Sequence, residues 1–112
     1  MTTPRFAPKL HLEVPKHFGA RASVVWLQPG PKSSSDKLDQ FGAAQIQHAV
    51  ALRIRSAILD VADTIEEYAR NTQQDYTRLL RVLNGTVIMR LEDIAHADRN
   101  LDLGLFGNSR KV

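Results

Sequence analysis

The sequence predicts a mainly α protein, a repressor-like helix-turn-helix bundle of four to five helices preceded by an N-terminal β-hairpin or extended arm. Three observations carry this expectation. All five prolines (Pro4, Pro8, Pro15, Pro29, Pro31) fall within the first 31 residues, and proline lacks the N–H and the freedom in φ that a helix interior requires. From Ala43 onward apolar residues recur at three- and four-residue spacing, the period of a helix with one buried face. A chain of 112 residues is long enough for one compact domain and too short for a second of enzyme size, and 43% hydrophobic with 24% charged residues is a folding composition.

Residues 1–35 form the expected arm or hairpin with its linker. LHLEV (Leu10 to Val14) and ASVVWL (Ala22 to Leu27) are short, apolar and partly β-branched, the composition of two strands. A lone hairpin is marginal in water, so it would have to pack on the rest of the chain or on another copy. QPGPKSSSDK (Gln28 to Lys37) is a turn and linker composition. Residues 36–103 form the expected helical domain. Ser35 or Asp36 caps a short helix, and Ala43 to Val61 continues as a long one with Ile46, Val50, Ile54 and Ile58 inward and Gln47, Arg53, Arg55 and Asp60 on the solvated side. Asp63 or Thr64 caps the next helix, where Glu66 and Glu67 complement the helix dipole. After a break at Asn71 to Gln74, a helix from about Gln74 to Leu83 ends at Asn84-Gly85, because glycine accepts the left-handed conformation that follows a helix. A last helix spans about Leu91 to Leu101, and residues 104–112 are an expected flexible tail.

Several chemistries lack their residues. There is no cysteine, which excludes disulfides, thiolate zinc sites and a cysteine nucleophile and fits a reducing cytoplasm. His11, His17, His48 and His96 stand at no metal-ligand spacing, and His48 and His96 read as helix-surface or interhelical residues. Glu66-Glu67 and Glu92-Asp93 are adjacent pairs that cannot converge on one substrate. No phosphate loop or nucleophile motif is present, so neither an enzyme nor a cofactor is expected. No signal peptide or bilayer-length apolar stretch appears, which gives the expectation of a cytoplasmic protein without membrane contact. The net charge of +3 resides entirely in residues 1–40, which hold six basic and three acidic groups. Such a basic arm, with Arg5 and Lys9, suits an anionic polymer.

The stretch TIEEYARNTQQDYTRLLRVLNGTVIMRLEDIAHADRNL (Thr64 to Leu101) resembles the helix-turn-helix of the Cro and repressor class, the XRE-like family. The likeness lies in a short helix with the small Ala69 at its inner turn, a break, a helix ending in RVLNG (Arg81 to Gly85), and a further helix to pack across the pair. Asn71 stands near the family's turn glycine and can adopt the same left-handed conformation. The resemblance implies sequence-specific binding of double-stranded DNA by a small transcriptional regulator, as a homodimer reading an inverted repeat.

Physical reasoning on the residues agrees. A helix about 10 to 12 Å across fits the major groove, about 12 Å wide, and residues near its N-terminus then reach base edges. Gln73, Gln74, Thr77 and Arg78 are the candidates for bases, while Arg81, Thr86 and Arg90, with Arg5 and Lys9 of the arm, are candidates for the backbone. Asp75 would cap the helix, orient Arg78 or accept from cytosine. Two rival readings use other chemistry: a protein interaction module, such as an antitoxin or phage accessory factor, and a single-strand binder in which Phe18 and Trp26 stack on bases.

Overall fold

A computed structural model describes residues 6–105 and contains four helices: α1 Ser35–Val61, α2 Ile65–Asn71, α3 Tyr76–Leu83 and α4 Leu91–Leu101. With no proline after Pro31 to stop it, α1 is a single helix of 27 residues rather than the expected short helix followed by a long one. It is about 40 Å long at 1.5 Å per residue. The Ser34 side chain, one residue before the expected cap, accepts from the Lys37 amide at 3.2 Å. The other three helices and the N-terminal segment pack around this rod.

The buried face of α1 is Ala44, Gln47, Ala51, Ile54 and Ile58, spaced alternately by three and four, with His48 beside Gln47. The expected stripe, Ile46, Val50, Ile54 and Ile58, steps by four throughout, and each such step turns about 40° around a helix of 3.6 residues per turn. The stripe therefore winds out of the core: Ile58 is fully buried and Ile46 is 66% exposed. For the same reason Gln47, expected in solvent, is buried. Arg53 and Arg55 also do more than face water: Arg53 donates to the Leu103 carbonyl, and Arg55 Nε donates to the Gly19 carbonyl at 2.9 Å.

The N-terminal segment is not a β-hairpin. Pro8–His11 and Pro15–His17 are 3-10 turns, each started by a proline whose fixed φ suits a turn and whose missing N–H interrupts any ladder. What remains of pairing among the described residues is one antiparallel bridge, Leu12 to Trp26, flanked by bonds from Glu13 N to Val25 O (2.9 Å) and Leu27 N to His11 O (2.8 Å). Nor is the segment a free arm. Leu12 and Phe18 belong to the same core as Ile54, Ile58, Leu79 and Leu83. Trp26 lies edge-on to His48 and Phe41, with ring centroids 5.5 and 5.9 Å apart.

His48 locks this segment to α1. Its Nδ1 accepts from the Gly19 amide at 2.9 Å, while Nε2 is buried without a partner. Nδ1 can accept only in the neutral ring. Burial lowers the His48 pKa from 6.5, against a smaller raising effect of the Arg21 backbone. A folded value below the unfolded one means that the unfolded chain takes up protons first, so stability is full above about pH 6.5 and declines as pH falls through that value. His11, also lowered by burial, acts in the same direction. We expect the urea midpoint followed by Trp26 fluorescence to be lower at about pH 5.5 than at about pH 7.5, and the difference to shrink in His48→Gln.

Candidate nucleic-acid interface

α2 begins where Thr64 Oγ1 accepts from the Glu67 amide at 3.0 Å, with the Glu67 carboxylate accepting from the Asp63 amide at 3.2 Å. The helix buries Tyr68 and Ala69 against the core and lasts two turns. It stops because the chain reverses at Gln73, whose φ is +59°. The left-handed turn residue is thus Gln73 and not Asn71, which remains inside α2. The Gln74 amide donates to the Ala69 carbonyl at 2.8 Å and the Thr72 hydroxyl to the Tyr68 carbonyl at 2.8 Å, so the turn closes back on the end of α2.

α3 starts at Tyr76, two residues later than expected, because Asp75 is its cap: the carboxylate accepts from the Arg78 amide at 3.2 Å. Leu79, Val82 and Leu83 face the core, and Tyr76, Thr77 and Arg81 face outward. Beyond α3, Gly85 has a φ of +76°, and its carbonyl receives the Lys9 amide at 3.0 Å. The connection to α4 is then held by Gln47. Its Nε2 donates to the carbonyls of Val82 and Val87, both at 2.9 Å, and its Oε1 accepts from the Met89 amide at 2.8 Å.

Arg78 does not project freely. Its guanidinium makes a two-pronged pair with Asp93 of α4, at 2.5 and 2.9 Å, and Asp93 also caps α4 by accepting from the Arg90 amide at 2.8 Å. Burial alone would push the Asp93 carboxyl up, but the bonds from Arg78 and Arg90 outweigh it and hold the group below its usual value, while the bond to Asp93 raises Arg78 further. The pair ties α3 to α4. Between them lies a notch of about 210 Å³ lined by Asp75, Thr77, Arg78, Arg81, Val87, Ile88 and Arg90. Arg81 and Arg90 are exposed and make no ion pair among the described residues. Asp75, the one acidic residue of the lining, makes no ion pair either, so two unpaired positive charges stand against one negative and the notch is left positive.

The sequence candidates separate into groups. Thr77, Arg78, Arg81 and Arg90 come together at the notch, and Gln73 is exposed at the turn leading to it. Gln74 is half-buried, with its Oε1 3.4 Å from the Thr72 hydroxyl. Thr86 is spent in its own turn, its hydroxyl donating to Asn84 Oδ1 at 2.6 Å. Lys9 is half-buried beside Gly85, and Arg5 lies outside the described residues. Sequence reasoning missed Tyr76, at the exposed start of α3, and Gln47. The alternating three- and four-residue spacing through Ala44, Gln47, Ala51, Ile54 and Ile58 was the available signal for Gln47.

Among the described residues no cluster of three or more His, Asp or Glu side chains could hold a metal, and no helix is long and apolar enough to cross a membrane. Comparison of the chain with protein-family models, curated proteins and solved structures finds no match in any of the three.

Proposed function

We propose that the chain is a sequence-specific double-stranded DNA-binding protein of the cytoplasm, a small transcriptional regulator of the repressor type that reads an inverted repeat as a two-fold dimer. The observation that carries this reading is the outer side of α3. Tyr76, Thr77 and Arg81 are exposed there, on a helix whose other side is held by Leu79, Val82 and Leu83. A helix presented so rigidly lays the same side chains into the groove at each encounter, which is the condition for reading base edges. In this reading Thr77 and Gln73 meet bases, with Gln74 at the margin. Arg81 and Arg90 meet phosphates on either side of the notch, and Lys9 and Thr86 border it. Arg78 acts as a positioning residue through Asp93.

Gel shifts with genomic fragments at about 50 and about 200 mM salt test this. One fragment is expected to survive competitor DNA. Thr77→Ala should reduce the preference for it, by about tenfold, whereas Arg81→Ala or Arg90→Ala should weaken binding to all fragments and lower the salt slope by about one. Equal retention of every fragment defeats sequence-specific reading, and retention of none leaves the protein-interaction module as the better account.

A further inference from the structure

Arg55 is a half-buried cation for which the fold provides no acid. Its Nε donates to the Gly19 carbonyl at 2.9 Å, which fixes the guanidinium against the N-terminal segment, while its Nη groups make no hydrogen bond to any described residue. It forms no ion pair among the described residues either. Burial pushes its pKa down, and the one opposing influence comes from Tyr76, not from a carboxylate. Holding a charge partly out of water without a counter-ion carries a cost that a bound anion removes.

The place of Arg55 beside α3 says which anion. Tyr76 opens the first turn of α3 and is exposed. At about 100° per residue it stands about 200° around the helix from Arg78, so the two mark opposite flanks of the outer side formed by Thr77 and Arg81. The Arg78 flank carries the notch and Arg90. The Tyr76 flank carries Arg55, which α1 brings there and which Gly19, packed against the Leu83 carbonyl, holds in place. A helix lying in the major groove has a phosphate backbone along each flank, because helix and groove are nearly equal in width. We propose that Arg55, with the Tyr76 hydroxyl beside it, holds a phosphodiester of the strand across the groove from the one met at the notch. The inference rests on the duplex reading above and makes its footprint two-sided, with one strand gripped from α3 and α4 and the other from α1.

The salt dependence of duplex binding by the full chain tests it, on the preferred fragment and on an unrelated one. Arg55→Gln and Arg55→Lys both remove the Nε donor to Gly19, so they share that structural loss and differ in charge. Arg55→Gln should weaken binding to both fragments by about tenfold at about 50 mM salt and lower the salt slope by about one. Arg55→Lys should keep the slope and lose about threefold, since it retains the charge without the planar fork. Tyr76→Phe should also lose about threefold at constant slope, a hydroxyl carrying no charge. Lys37→Ala, about 27 Å away along α1, should change neither quantity. With the wild type, neutral methylphosphonates placed singly along the duplex should weaken binding at positions on both strands, a result that does not depend on any variant folding.

A folded Arg55→Gln protein with the wild-type slope, or methylphosphonate interference confined to one strand, overturns the proposal. A slope lowered by Arg55→Gln on every fragment, with no fragment preferred, leaves Arg55 as a phosphate contact and removes the sequence-specific reading. A preferred fragment bound by Arg55→Gln with the wild-type slope does the reverse. A wild type that binds no duplex at about 50 mM salt overturns both. If inorganic phosphate at constant ionic strength raises the melting temperature of the wild type but not of Arg55→Gln, and the duplex slope is the same for both, the anion is a free phosphate and the assignment to the duplex falls.

Discussion

Gly19→Ala is expected to lower stability by about 4 kcal/mol. The backbone at Gly19 has a φ of +64°, where a side chain costs about 1 to 2 kcal/mol. A Cβ there would also sit 2.1 Å from the Leu83 carbonyl oxygen and 3.2 Å from Ala51 Cβ. Neither neighbour can yield, because one is helix backbone and the other is a buried α1 residue. The segment must move away, and with it go the bonds of Gly19 to His48 and Arg55. For a domain of this size the melting temperature should fall by roughly 15 to 20 °C. Circular dichroism and Trp26 fluorescence check this; a change under about 5 °C contradicts the packing described above. Gly42→Ala is the control. Nothing lies within 4 Å of a Cβ at that helical position, so it should stabilise by about 0.5 to 1 kcal/mol.

Gln47→Leu should cost about 2 to 3 kcal/mol and loosen the wall of the notch. Leucine fills most of the space but leaves the Val87 carbonyl and Met89 amide without the partner they have now. The Val82 carbonyl keeps bonds from Asn84 and Gly85, so the loss falls on the α3–α4 connection more than on α3. Hydrogen exchange separates this from a general loss of stability: the Met89 amide should exchange faster by more than the global change in unfolding free energy explains. Equal acceleration throughout the chain would mean that Gln47 merely fills the core. Gln47→Glu should be worse near neutral pH, since a carboxylate would face two carbonyl oxygens. It should recover as pH falls, because a buried carboxyl protonates easily.

Much of the helical part is legible in the sequence because its signals are local. Pro31 and the serines bound the start of α1; Thr64 and Asp75 cap α2 and α3 through their own side chains; Gly85 ends α3 by taking a positive φ. The positions of Thr77, Arg81 and Arg90 around one notch follow from those helix starts. What failed to show was governed by distance in the chain. Arg78 looks identical in sequence to a base-reading arginine, and only the arrival of Asp93 from 15 residues away engages it. Gln47 looks like helix surface until residues 35 to 42 positions later supply its partners.

The sequence by itself settled where the chain can be helical, since proline placement, capping side chains and apolar period act within one or two turns. It also set the separation between a proline-rich beginning and a helical remainder. Only the tertiary structure decided that the beginning folds onto α1 as turns and not as a hairpin. The reason is that Leu12 and Phe18 gain more by entering a core that α1, α3 and α4 build together than a two-stranded ribbon could offer them. That gain belongs to surfaces brought together by the whole chain, so no local stretch of residues announces it.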